Sequence, residues 1–246
     1  MRCEIARAIL DAYVSNQKMF CFDEFTSVVD RTVARVSSFA IQKALRKTNT
    51  QFVAVTCHYD VQEWLMPDWV FRTDDMTFQL LKVEEQKKNR RKLQLRIYET
   101  KRKEYYWRMF AKYHYLSHSF NKTARVFIAT CDEMICGFCA VLPFPHPIKR
   151  NCWKEHRTVV FPDFQGIGIG TAFTNAVAQM YADEGKTFIS TTSNPAMIFA
   201  RSHSDKWRTT RIGRASLGSE TGKIQNKHKK GSTSTNRITV SFEYKK

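Results

Sequence analysis

The sequence predicts an α/β fold, and three observations carry that prediction. A β-branched and aromatic run, Thr158 to Phe161, stops at Pro162, and a helical pattern begins after glycines at Gly166, Gly168 and Gly170. A second strand-like run, Thr187 to Thr192, follows that helix once Gly185-Lys186 has ended it. Ile238, Val240, Phe242 and Tyr244 then alternate with polar residues, the pattern of a half-buried strand at the end of the chain.

The 246 residues suffice for one large or two small domains, and 43% hydrophobic with 13% aromatic residues provide a core. No run of about 18 apolar residues is present and Met1-Arg2-Cys3-Glu4 does not start a signal peptide, which predicts a soluble, cytoplasmic protein without membrane insertion. Seven irregularly spaced cysteines then read as reduced thiols. A net charge of +17 and a pI near 9.7 point either to polyanionic company, such as nucleic acid or a phosphorylated cofactor, or to a solvated basic surface. The charge concentrates in Lys82 to Arg125 and Arg201 to Arg237.

In chain order, Lys18 to Phe22 is an apolar strand ending in two carboxylates, Asp23 and Glu24. Ser27-Val28-Val29-Asp30 leads into a helix pattern, and Phe52 to Thr56 is a second apolar strand ending near His58. This order resembles the C-terminal half of an ABC-type ATPase, with Glu4 to Leu10 similar to the helix after that family's signature motif. The resemblance implies that Asp23 holds Mg²⁺ through water, Glu24 orients the attacking water, Asp30 lies in the D-loop and His58 is the switch histidine. Phe25 replaces the proline usual after the Walker B glutamate, and no P-loop or signature motif occurs in the chain. Without P-loop amides and lysine nothing cradles the β- and γ-phosphates, so residues 1–75 read as a truncated remnant without ATPase activity, or a region that binds a complete ABC-type ATPase. Residues 76–104, with Lys87 to Lys92 at their centre, read as a basic linker, helical or partly extended, with a nucleic-acid contact as the functional alternative.

From residue 105 the pattern becomes compact. Tyr105 to Leu116 is an aromatic-rich helix; Arg125 to Ala129 and Met134 to Val141 form a hairpin around Cys131-Asp132-Glu133; three prolines, Pro143, Pro145 and Pro147, precede the strand at Arg157. Asn194-Pro195-Ala196 opens a short helix, and 213–234 is a glycine-, serine- and lysine-rich loop. Cys131, Cys136, Cys139, His146, Cys152 and His156 crowd one region, but Cys136 and Cys139 point to opposite faces of a strand, which argues against a metal site.

Glycines before a helix let the backbone approach an anion, and the unpaired N–H groups of the first turn present partial positive charge to it. The spacing here is neither Gly-x-Gly-x-x-Gly nor Gly-x-x-x-x-Gly-Lys-Ser/Thr. It resembles the acyl-CoA pyrophosphate loop of the GNAT acetyltransferases, Gln/Arg-x-x-Gly-x-Gly/Ala, matched by Gln165, Gly168 and Gly170. That resemblance implies a GNAT fold over 105–246, a mixed, mostly antiparallel sheet with splayed central strands between helices, and transfer of an acetyl group from acetyl-CoA to an amine by direct attack on the thioester. It implies that the pantetheine arm lies between Thr158 to Phe161 and Phe188 to Thr192, that the N–H of Val159 or Val160 polarises the thioester, and that the amides of Gln165, Gly166, Ile167, Gly168, Ile169, Gly170 and Thr171 hold the pyrophosphate. Glu155 and His156 are candidates for the base that frees the amine. Ser202 is the nearest hydroxyl where the family often has a tyrosine acid. Asn194 contacts pantetheine or caps its helix. Tyr113, His114 and His118 either line an acceptor pocket or pack. A nucleic-acid base modifier of GNAT type, and a non-catalytic module related to ABC ATPases, are the alternatives.

Overall fold

The computed structural model describes residues 2–15, 19–46, 48–81, 93–114, 120–146, 148–214 and 238–245. The chain forms two compact units, Met1–Lys92 and Leu93–Lys246.

The first unit contains α1 (Arg2–Val14), β1 (Met19–Phe22), α2 (Arg31–Leu45), β2 (Gln51–Ala54), α3 (Asp60–Leu65) and the hairpin β3 (Trp69–Arg72) and β4 (Thr77–Leu80). β1 and β2 pair in parallel from Met19–Gln51 to Phe22–Ala54, with α2 as the crossover. Ala34, Ser37, Ser38 and Ile41 bury one stripe of α2, and Ala34 and Ile41 pack with Phe25, Val61 and Trp64. Asp30 starts the helix, its Oδ1 accepting from the N–H groups of Thr32 and Val33 at 2.9 and 3.1 Å. The β3–β4 hairpin gives no periodic signal in the sequence because all of β4 is exposed.

The second unit is built on one seven-stranded sheet of order β10-β11-β9-β8-β7-β6-β5. Its elements are β5 (Leu95–Thr100), α4 (Lys103–Phe110), β6 (Arg125–Cys131), β7 (Met134–Pro143), β8 (Cys152–Val160), α5 (Ile169–Asp183), β9 (Thr187–Thr192), α6 (Pro195–Ser202), β10 (Trp207–Arg214) and β11 (Ile238–Tyr244). Every neighbouring pair is antiparallel except β8 and β9. Asp132 and Glu133, both at positive φ, make the two-residue turn between β6 and β7. Trp107 and Phe110 of α4 pack on one face against Val126, Ile128, Phe138 and Val159. α5 covers the other, where the Tyr181 ring packs, tilted by 40°, against Trp153 and Phe188 at centroid distances of 5.1 and 5.4 Å.

Several expectations are corrected. The linker does not span 76–104: β4 lies in the first unit, while β5 pairs with β6 along Leu95–Cys131 to Thr100–Val126 and belongs to the seven-stranded sheet, which therefore begins about ten residues before 105. Residues 82–92, including the basic centre, lie outside the described residues. The aromatic helix starts at Lys103 and ends at Phe110 in a 3₁₀ turn, Ala111–Tyr113. β8 starts at Cys152, five residues before the predicted strand. The loop at 213–234 starts inside β10, whose charged sequence hid an edge strand; 215–237 lie outside the described residues. No described helix is long and apolar enough to cross a membrane.

Candidate cofactor site

β8 and β9 share only three paired positions, Cys152–Thr187, Trp153–Phe188 and Lys154–Ile189. Beyond them both strands continue, β8 to Val160 and β9 to Thr192, without pairing to each other, so the sheet opens into a V. A β-bulge marks the start of the opening. Ala140 faces Arg157 while Val141 faces Glu155, which leaves His156 as the extra residue.

The glycine loop lies at the far end of β8. Phe161 N–H donates to Cys136 O at 2.9 Å, and the 3₁₀ turn Pro162–Phe164 follows, anchored by the buried Phe164. Because successive residues of a strand direct their N–H groups to opposite edges, Val160 N–H points away from β7, into the gap, and Val159 N–H points toward β7. Of the two candidates for polarising a thioester, Val160 therefore has the right direction. Gln165 Nε2 donates to Val160 O at 2.8 Å and ties the loop to the strand. Gly166 and Gly168 sit at φ 88° and 98°, where a side chain is strained. Gly168 is the N-cap of α5, its carbonyl accepting the first helical bond from Ala172 N at 3.0 Å. The N–H groups of Ile169, Gly170 and Thr171 have no partner within the helix, and no acidic side chain stands in its first turn to neutralise them. Phe161 is held by its ring, stacked on Phe110 at 4.0 Å, and so serves packing.

The acid–base candidates fare differently. Glu155 is not a free base: Oε2 accepts from Arg201 Nη2 at 2.8 Å, and Oε1 accepts from Thr158 Oγ1. Burial works to raise its carboxyl pKa, but the Arg201 charge and hydrogen bonds from Ser190, Thr158 and Arg201 outweigh it, so the group is held below its ordinary value as a carboxylate. His156 is not a poised base either. Its Nε2 accepts the Asn121 N–H at 3.2 Å, and burial, with Arg157 and Lys154 nearby, pushes its pKa down to about 4. Ser202 is exposed at the C-terminal end of α6, about 12 Å along the axis from its N-cap. Asn194 is that N-cap, its Oδ1 accepting from Ala196 N and Met197 N at 3.0 and 3.2 Å. His114 is buried edge-on to Trp107 at 5.9 Å, a core position and not a pocket wall, while Tyr113 is 41% exposed beside Phe161. His118 lies outside the described residues. Among the described residues no group of three or more His, Cys, Asp or Glu side chains is arranged to hold a metal.

In the first unit Asp23 and Glu24 follow β1, and His58 follows β2, at the carboxyl ends of two parallel strands. Asp23 Oδ1 accepts from Glu24 N at 2.8 Å, and Glu24 takes φ 50°. Asp30 is engaged as a helix cap.

Opened parallel strands, a positive-φ glycine loop and an uncompensated helix N-terminus define an α/β protein of the class that binds a phosphate-bearing cofactor. The family is more specific. The acetyltransferase (GNAT) family model matches residues 58–201, more than half of the chain, and the chain belongs to that family. Comparison with curated protein sequences returns no match. Among solved structures, an IAA acetyltransferase from Bacillus cereus ATCC 14579 is similar at 14% identity and a TM-score of 0.45, over 61% of this chain and 98% of that one. The ribosomal-protein-S18-alanine N-acetyltransferase from Escherichia coli is similar at 12% identity and TM-score 0.44, over 61% and 92%. A GNAT family acetyltransferase from Elizabethkingia anophelis with acetyl-CoA bound is similar at 12% identity and TM-score 0.43, over 61% and 96%.

Proposed function

We propose that the chain is an N-acetyltransferase that moves an acetyl group from acetyl-CoA to an amine. The observation that carries this reading is the loss of β8–β9 pairing beyond Lys154–Ile189, on the strand that runs directly into the glycine loop. The amides of the first turn of α5, Ile169, Gly170 and Thr171, together with the glycine loop before them, would hold the pyrophosphate, and Val160 N–H would meet the thioester carbonyl. The Gln165 N–H, expected to join the loop amides, instead donates to Pro162 O at 3.2 Å. Acetyl-CoA supplies an acetyl thioester whose carbonyl carbon an unprotonated amine attacks, C–N forming as C–S breaks and the amine's proton ending on the thiol. A cytoplasmic location, where thiols stay reduced, belongs to the same proposal. Calorimetric titration of acetyl-CoA and then ATP tests it: micromolar acetyl-CoA binding without ATP binding is expected, and the reverse would overturn it.

A nucleic-acid acceptor is the second reading, favoured by one helical face. Tyr105, Arg108 and Lys112 are exposed at i, i+3 and i+7 on α4 and the turn after it, and Lys101, exposed, precedes the helix. Lys112 Nζ lies 4.9 Å over the ring of Tyr113, which abuts Phe161 at the end of β8. Cations interleaved with exposed rings suit a phosphate backbone with stacked bases. For the first unit we propose an ABC-ATPase-like remnant that retains the strand-end positions of Asp23, Glu24 and His58 and hydrolyses no ATP by itself. A pull-down of a complete ABC-type ATPase by the full chain tests the partner role.

A further inference from the structure

Where the β8–β9 backbone ladder ends, a side-chain bridge begins. Glu155 is the residue after the last pair, and the His156 bulge sets its direction. Residues three apart on a regular strand face opposite ways, but the extra residue brings Glu155 and Thr158 to the same face, where they are hydrogen-bonded. Arg201, 1% exposed and anchored on α6 beyond β9, donates Nη2 to Glu155 on β8 at 2.8 Å and Nη1 to Ser190 Oγ on β9. Its guanidinium lies 4.4 Å over the indole of Trp207 on β10. One planar cation thus ties the two arms of the V immediately above its base.

Stability alone does not account for this arrangement. Both charges are withdrawn from water, with side-chain exposures of 1% and 10%, and Arg201 Nε is buried without a hydrogen-bond partner among the described residues. Apolar side chains of the same volume often serve as well or better at such a position. An ion pair supplies what an apolar pair does not, a fixed distance and direction between two strands that share no backbone bonds there.

We propose that the Glu155–Arg201–Ser190 bridge is a strut that sets the width of the β8–β9 gap and thereby positions the pantetheine arm, Glu155 being a positioning residue and not the base; this rests on the acyl-CoA reading above. The loop amides beyond Phe161 do not touch the strut, so its removal weakens what lies in the gap and spares what lies on the loop.

The test compares acetyl-CoA with 3′-phospho-ADP, the part of the cofactor that lacks pantetheine, by calorimetry on the full chain. The variants are Glu155→Gln/Arg201→Met, which leaves no orphan charge, and Ser190→Ala, which severs only the β9 arm. Tenfold or greater weakening for acetyl-CoA in the double variant and about threefold in Ser190→Ala, with 3′-phospho-ADP within twofold in both, is expected. Equal weakening of both ligands, or unchanged acetyl-CoA affinity, overturns the strut. If the double variant does not fold, Ser190→Ala decides. Failure of the unaltered protein to bind acetyl-CoA, a separate result, overturns the acyl-CoA reading itself.

Discussion

Replacing Gly168 by alanine tests the loop most directly. Gly168 stands at φ 98° and ψ 2° as the N-cap of α5, with no side-chain cap of its own. A non-glycine residue held at left-handed φ costs about 1–3 kcal/mol, and alanine is also a poorer N-cap than glycine. The backbone relieves that strain by rotating the 168–169 peptide, which is one of the amides assigned to the pyrophosphate. Gly168→Ala should therefore weaken acetyl-CoA binding by about tenfold and lower the melting temperature by several degrees, about 2–4 °C per kcal/mol for a chain of this size. Gly170→Ala is the matched control. Gly170 is not among the positive-φ residues, and a Cβ there would lie 3.5 Å from Val160 Cγ2, an ordinary contact. In the first turn of α5 alanine should add about 0.5–1 kcal/mol of stability, with affinity within threefold. Calorimetry and thermal melts on both variants give the answer. If Gly168→Ala binds and melts like the unaltered protein, or Gly170→Ala is equally damaging, the conformational argument is refuted.

Four further outcomes are expected. His156 has a folded pKa of about 4 against an ordinary 6.5, so the unfolded chain takes up a proton that the fold refuses between those values; stability is full above about pH 6.5 and declines toward pH 4. The slope stays below the one-proton limit of about 1.4 kcal/mol per pH unit, further reduced by partial solvent contact; urea midpoints of His156→Gln should flatten over that window, and parallel curves would contradict the assignment. Gly137→Ala places a Cβ 3.0 Å from the Phe173 ring and 3.2 Å from Ala129 Cβ, between β7 and α5, and should destabilise by about 1–3 kcal/mol, visible as a lower denaturation midpoint. Purified chain should show no ATP turnover above background in a phosphate-release assay; turnover abolished by Glu24→Gln would reverse the reading of the first unit. If the acceptor is nucleic acid, oligonucleotide affinity should fall steeply between 50 and 200 mM salt, and Arg108→Ala/Lys112→Ala should reduce that slope, as fluorescence anisotropy would reveal.

Much of the site could be read without coordinates because its chemistry is local. Gln165, Gly168 and Gly170 encode a backbone that turns and offers amides within six residues, and Asn194-Pro195 encodes a helix start. The pattern of β11 is equally local, since alternation reports one buried face. β5 and β10 escaped notice because an edge or charged strand, such as Trp207 to Arg214, is held by its neighbour's backbone and needs no apolar run. Glu155 and His156, best suited in type to acid–base work, are engaged in ways their residue types do not reveal. Their roles depend on a bulge defined only by the register of β7 against β8, and on Arg201 arriving from 46 residues further along the chain. By itself, then, the sequence determined the order of elements and the anion-binding loop, because these follow from residues in succession. Only the tertiary structure decided which strand edges part, which N–H faces the gap and which carboxylate is closed into an ion pair, because those depend on contacts between segments distant in the chain.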